Sequence, residues 1–339
     1  MPTFFGSGRR LLMTPSLAKV SFAGRGFPGP ATDATRRLEA IPQSVICGFE
    51  WGIDARSQWE VERRLSLLDP ELQGFGYEGT TMAFTILDSM AGGRGHKTRD
   101  LLTGPGEKHI FLAYIGIGFA MARLPRPLWK KIVPDLTGSP YYPTMSWLAV
   151  DGYGFDRAYF DTKRWVDEQR VPAPYPWEGS REYFPRAVDQ GIGRALWFIH
   201  GARVADVTAA VHRFASQRHP DLWSGVGLAA AFAGGSTADG LATLRQDAAE
   251  YQAELGQGAV FAVKARSYAG LVPAHTELAA GALAGLSVEA AVALADDSAV
   301  TESASPAEPA YELWRGRVRA SLSTPASRAG AASAELSKN

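Results

Sequence analysis

The chain has 339 residues, of which 46% are hydrophobic and 21% charged, enough apolar mass for one large or two small domains. Lys+Arg and Asp+Glu each number 35, so the formal charge is zero, with neither the basic excess of a nucleic-acid binder nor a charged block suited to a membrane surface. Cys47 is the one cysteine, which rules out an intrachain disulfide framework and a cysteine-built structural zinc site and fits a reducing cytoplasm.

Residues 1–30 carry scattered Gly and Pro without a continuous apolar stretch, so an irregular segment is expected there and not a signal peptide. Residues 31–72 carry a helical pattern: Leu38, Ile41 and Val45, then Trp59, Val61, Leu65 and Leu68 before Asp69-Pro70. The longest apolar run, Ile110 to Ala122, falls short of the ~20 residues that span a bilayer and predicts a buried core helix.

From residue 74 a theme recurs: an aromatic or polar residue, one or two glycines, then small and apolar residues. It appears as GYEGTTMAF, AYIGIGFAMAR, VDGYGFDRAYF, DQGIGRALWF, LWSGVGLAAAF and LGQGAVFAVKAR. Gly79, Gly116, Gly152, Gly191, Gly225 and Gly258 are separated by steps of 37, 36, 39, 34 and 33 residues. Such a period indicates stacked supersecondary units and fits two helices and two turns. Lys97 to Leu102, Arg203 to Phe214 and Ala238 to Leu255 supply second helices. The predicted fold is therefore all-α: six helical-hairpin-like repeats in one domain over 31–299, in halves of about 31–165 and 185–299 split by a Pro-rich gap. The repeats could close into a ring around a central cavity, and an irregular helical bundle is the alternative. Residues 300–339 read as a mobile tail around a short helix, 311–322.

Familiar catalytic signatures are missing. Gly74 to Gly79 matches GxGxxG but follows LDPELQ, which is not a strand, so a dinucleotide site is not expected. The sequence contains no Walker A loop, no GxSxG elbow and no HExxH metal spacing, so neither cofactor nor metal is expected. What remains is a set of polar groups inside the Gly-marked segments. Glu78, Asp151, Asp189, Tyr77, Tyr114 and Arg194 are the candidates for proton transfer and oxyanion stabilisation. Tyr153, Gln190, Trp197, Asp221, Trp223 and Gln257 are the candidates for ligand contact. In a repeat architecture these groups would converge on one cavity mouth, where buried carboxylates acquire raised pKa values suited to acid–base work. Glu78, Asp151, Asp189 and Asp221 also stand near expected helix starts, where an acidic residue serves as a cap. Arg123, Arg194 and Arg266 are then partners for those carboxylates, and Trp197, Phe198, Trp223 and Phe232 are core or, for a flat polycyclic ligand, cavity wall.

The same segments carry a family resemblance. Phe22-Ala23-Gly24-Arg25-Gly26-Phe27, Tyr77-Glu78-Gly79, Ile115 to Arg123, Asp151-Gly152-Tyr153-Gly154-Phe155, Asp189 to Arg194, Asp221 to Ala229 and Gln257-Gly258-Ala259, in that order, resemble the domain of unknown function 1702 family over about residues 22–280. The resemblance implies a cytosolic role in enediyne biosynthesis in actinomycetes. Some members look like cofactor-free enzymes that form carbon–carbon bonds in anthraquinone-fused enediynes. It implies a small-molecule aromatic polyketide or enediyne substrate, with no nucleic-acid or membrane partner, and leaves room for a homodimer. One departure stands out: a His is expected after Asp-Gly-Tyr-Gly-Phe, and Asp156 stands there. If that position faces the cavity, a specialised cyclase is the preferred expectation. A non-catalytic enediyne binder, for chaperoning or self-resistance, and a scaffold for other enzymes remain open beside it.

Overall fold

The computed structural model describes residues 16–92, 95–305 and 307–323. It is all-α: among the described residues there is no β-strand, and two isolated bridges, Trp177 with Ser180 and Ser305 with Glu308, are the β-type pairings. Seven long helices form the centre: α1 (Asp33–Asp54), α2 (Gln73–Met90), α3 (Ile110–Met121), α4 (Trp147–Phe160), α5 (Phe184–Ile199), α6 (His219–Ala233) and α7 (Gln252–Tyr268). An eighth, α8 (Ala310–Ser323), packs across α7. Most of the expected hairpin partners exist as short outer helices, Lys97–Leu102, Val204–His212 and Ala238–Asp247. The two Pro-rich connections instead carry 3₁₀ or π turns, because Pro lacks the N–H that a longer helix would need there. The expected irregular start becomes two short helical turns, Leu17–Val20 and Phe22–Arg25, where it is described. Its first 15 residues and the expected tail beyond 323 lie outside the described residues.

The seven helices stand in a row in chain order, each packed against the next. Glycine sets the spacing. A Cβ on Gly79 would lie 1.9 Å from the Val45 carbonyl oxygen of α1; on Gly116, 2.1 Å from Glu78 O; on Gly152, 2.4 Å from Ile115 O. The series continues with Gly191 on Asp151 O, Gly225 on Gln190 O and Gly258 on Ser224 O, at 1.9, 1.9 and 2.0 Å. From Gly116 on, each of these glycines sits on the carbonyl of the residue just before the matching glycine of the previous helix. The second glycine of each GxG faces forward: Gly118, Gly154, Gly193 and Gly227 meet the carbonyls of Ala149, Val188, Leu222 and Leu255 in the next helix at 1.9 to 2.2 Å. Backbones this close leave no room for a methyl group and allow Cα–H···O=C contacts. The rows of small residues thus replace the usual side-chain interdigitation.

This register adds a unit. Gly48 of α1 faces Gly76 O of α2 as the forward glycines do, so α1 is the first of seven units and not a prelude to six. It carries Ile46 where a backward glycine would stand, because it has no preceding helix. The last helix, α7, carries Val260 in the forward position for the mirror-image reason. The Pro-rich stretch 161–188 does not interrupt the row, since α4 and α5 seat on each other by the same two glycine contacts. The row curls: Arg37 Nε of α1 donates to Ala233 O at the end of α6 at 3.2 Å, and Arg266 Nη1 of α7 donates to Glu71 O just before α2 at 2.9 Å. Phe75 of α2 meets Phe232 of α6 edge-on at 5.5 Å.

Gly191→Ala should cost about 3 kcal/mol or more, because the added methyl meets a backbone carbonyl that cannot swing away. Gly281→Ala, with nothing within 4 Å of its Cβ, should stay within about 1 kcal/mol of the parent. Urea denaturation of the two variants checks the pair; equal losses would contradict the seating.

Candidate functional site

The curl encloses two apolar cavities. The first lies among α2 to α7, with Phe111, Ile115, Leu148, Phe198, Phe232 and Phe261 in its wall and about 620 Å³ of empty space counted to its open mouth. The second lies among α1 to α5, with Ile41, Phe49, Met82, Phe119, Phe155 and Phe160 in its wall and about 680 Å³. Phe75, Arg194 and Phe198 belong to both walls, so the two are compartments of one interior. The room for a water-sized centre is far less, about 40 and 70 Å³, so the spaces are narrow slots between rings.

Four charged residues, Glu78, Arg123, Asp156 and Arg194, break the apolar lining of the second compartment. Glu78 is 2% exposed, and among the described residues no hydrogen bond or ion pair holds its carboxyl. Burial raises its pKa from 4.5 to about 8, against the pull of Arg194 and with the push of Asp151. Arg194 sits at the junction of the compartments with its guanidinium 5.0 Å from the centre of the Phe155 ring, and its Nη1 donates to Asp151 Oδ1. Asp156 is buried and accepts from Arg123 Nη1 at 2.5 Å; burial raises its pKa and Arg123 opposes that rise. Asp156, the position at which a His was expected, therefore faces the cavity.

Asp151 is committed elsewhere. Its Oδ2 accepts from Gln190 Nε2 at 2.7 Å, and Gln190 also bonds Tyr311 of α8. Ser224 Oγ bridges Gln190 and Gln257, at 3.5 and 3.0 Å, and Gln257 Oε1 accepts from Arg315 Nε at 3.1 Å. Arg315, fully buried, holds Asp221 at 2.9 Å and Glu312 at 2.8 Å. Apart from Arg315, Tyr311, Glu312 and Asp221, every member of this chain occupies the position just before a backward glycine: Asp151, Gln190, Ser224 and Gln257, with Glu78 at the same position in α2. The glycine register turns these positions to one side, so the polar groups line up helix after helix.

The candidates therefore divide. Glu78 and Arg194 reach the cavity, and Asp151 and Gln190 stand behind them as the groups that fix Arg194. Asp189 lies outside, held by Arg218 Nη2 at 2.5 Å and Nε at 3.0 Å, with burial raising its pKa to about 6 against that pairing. Asp221 is held by Arg186 and Arg315, away from both cavities. Tyr77 packs on His109 with ring centres 4.7 Å apart. Tyr114 is fully buried with its hydroxyl unpartnered among the described residues, beside Tyr142 and Glu178 and not in either cavity wall. Tyr153 packs among Trp129, Trp165 and Phe184. Trp197 Nε1 donates to Gly234 O at 2.8 Å, and Trp223 is core beside His212. Phe198 and Phe232, given as core or as cavity wall, line the first compartment. The capping role fails for Glu78, Asp151 and Asp189, which sit in the second helical turn, and is open only to Asp221 in the first turn of α6. Arg123 and Arg194 pair with carboxylates; Arg266 instead donates to the backbone carbonyls of Glu71 and Phe232.

Gly74 to Gly79 lies wholly inside α2, with no strand before it, so it cannot cradle a pyrophosphate at a strand-to-helix turn. Among the described residues no group of three or more His, Cys, Asp or Glu gathers as a metal site. No single helix among them is long and apolar enough to cross a membrane.

The architecture defines a class: a curled row of glycine-seated helices around an apolar interior that holds, among the described residues, the uncommitted acid Glu78. Over residues 4–322 the chain matches the family described as protein of unknown function, DUF1702, and it belongs to that family. No curated protein and no solved structure matches the chain.

The raised pKa of Glu78 has a thermodynamic signature. The unfolded carboxyl ionises near 4.5 and the folded one near 8. The stability it lends is complete below about pH 4.5 and is lost as pH rises through about 8. Glu78→Gln does not titrate, so its stability relative to wild type should climb across that window in denaturation curves taken at stepped pH. Parallel curves would refute the protonated state. Asp151→Ala should instead cost about 3–5 kcal/mol, because it strands the buried Arg194 charge.

Proposed function

We propose that the protein is an enzyme of enediyne biosynthesis that joins carbon atoms in an anthraquinone-type intermediate by acid–base chemistry, without a cofactor. The observation that carries this reading is Glu78, an unpaired acid in an apolar slot next to a fixed cation. A group that titrates near the working pH transfers protons best in both directions. Flat ring systems suit slots walled by Phe75, Phe119, Phe155 and Phe198.

In this reading the ionised form of Glu78 removes a proton from a phenol or from a carbon beside a carbonyl. Arg194, held in place by Asp151, stabilises the oxyanion that forms. The electron-rich carbon adds to an electrophilic carbon of a conjugated π bond in the enediyne half, that π bond opens, and its electron pair takes up the proton returned from Glu78. One C–C bond forms and no electrons are gained or lost. Gln190 is bound to Asp151 and Tyr311, which leaves the oxyanion to Arg194 alone. The Asp156–Arg123 pair at the far wall gives this chain a charged contact where a His was expected, which suits a specialised substrate.

Incubating the pure protein with the anthraquinone–enediyne precursor, and following product by mass spectrometry, tests this. Turnover should rise with pH and level off above about 8. Glu78→Gln should lower kcat by ~10²–10⁴-fold with precursor binding retained. Tight binding without turnover in the wild type would establish the non-catalytic binder instead, and full activity in Glu78→Gln would overturn the acid–base assignment.

A further inference from the structure

Beside the first compartment, and sharing Phe111, Leu112, Phe232 and Ala265 with it, is a more polar hollow with about 780 Å³ of empty space counted out into solvent. It is lined by Lys108, His109 and Arg266, residues the proposed proton transfer does not use. His109 is 7% exposed, and neither ring nitrogen has a partner among the described residues. Leaving such atoms unmet costs about 1–3 kcal/mol each. Arg266 is 5% exposed and lies 4.0 Å over the Phe232 ring. Two of its nitrogens are fixed by the carbonyls of Glu71 and Phe232, while Nε has no partner. Among the described residues no carboxylate forms an ion pair with it; nearby Glu71 pairs with Arg37 at 2.5 Å. Burial lowers the His109 pKa to about 4, so the ring is neutral near pH 7 and offers one donor and one acceptor. Burial lowers the Arg266 pKa only to about 10, so its charge persists.

We propose that this vestibule binds a carboxylate at one end of an aromatic ligand, with Arg266 Nε and a His109 ring N–H donating to it, Lys108 adding charge at the rim, and the apolar body of the ligand lying behind Phe111 and Phe232. The geometry fits that group: a pre-fixed guanidinium and an imidazole face one space, and two donors from two sides match two oxygens. A neutral polar group would leave the buried charge of Arg266 without an opposite charge, whereas a carboxylate supplies one. The orientation that follows puts the anionic end at the vestibule and the reacting end toward Arg194 and Glu78, and it rests on the interior being a site for flat aromatic ligands.

The test is calorimetric binding of anthraquinone-2-carboxylate against its neutral carboxamide, with 2-naphthoate and 2-naphthamide as a smaller pair. The wild type should prefer each carboxylate by about tenfold, the worth of a charge-assisted hydrogen bond. His109→Leu removes two unmet buried nitrogens and should fold; it should weaken carboxylate binding more than carboxamide binding and so shrink the preference severalfold. Arg266→Gln should bring the pair to parity. Parity in the wild type, a preference untouched by His109→Leu, or no binding of any of the four compounds would overturn the vestibule assignment. If the naphthoate shows the His109-dependent preference but neither anthraquinone enters, the vestibule stands and the polycyclic reading of the interior falls.

Discussion

Backbone-on-backbone contact between neighbouring helices, made possible by glycine, is the constraint on which the rest of this structure depends. Each backward glycine seats on the carbonyl that precedes its counterpart one helix earlier, and each forward glycine reaches the next helix. Close seating removes the freedom of a helix to slide or rotate against its neighbour. It fixes which side chains point into the curl. The residue before the backward glycine becomes a reserved position, and in five of the helices it is polar: Glu78, Asp151, Gln190, Ser224 and Gln257. Four of these bond to one another or to Arg315 in an unbroken chain of hydrogen bonds. Glu78 stands apart, because α3 lies between α2 and α4 and carries Ile115 at that position.

The electrostatics follow from that gap. Arg194 could have neutralised Glu78, but its Nη1 is engaged by Asp151, whose other oxygen is engaged by Gln190. The net charge next to Glu78 is therefore small, and desolvation dominates. An acid kept neutral by its surroundings, and facing free volume, is an arrangement that a purely structural core would replace with an apolar residue. Breaking the Asp151–Arg194 pair would change both stability and the Glu78 environment, so loss of activity in an Asp151 variant is not by itself evidence of catalysis by that residue.

The period of the glycines, the helical class and the outer helix Lys97–Leu102 were legible in the sequence because each depends on local spacing. The first unit was not, since α1 keeps only the forward glycine, Gly48, and a search keyed on repeated backward glycines passes over it. Glu78 and Arg194 were legible as polar residues in apolar segments. Asp189 and Asp221 looked equivalent to Glu78 but lie one and three residues earlier in the register than the reserved position, which turns them toward Arg218 and toward Arg186 and Arg315. One residue on a helix is about 100°, enough to move a side chain from the interior to the flank. Arg186 and Arg218 stand near Asp189 and Asp221 in sequence but each holds the other carboxylate, 35 and 29 residues away, and Arg315 arrives from α8, so nothing local signals these pairings. His109 and Arg266 carry no motif either; they matter because the curl of the row brings the start of α3 beside the end of α7.

The protonation state of Glu78 is the point where register, electrostatics and chemistry meet. Infrared difference spectroscopy of protein labelled with ¹³C at glutamate carboxyl groups, wild type minus Glu78→Gln, reads it directly. The account requires a neutral carboxylic-acid C=O band at pH 7 that belongs to Glu78 and converts to carboxylate as pH rises through about 8. A Glu78 signal that is already carboxylate at pH 6 would contradict it.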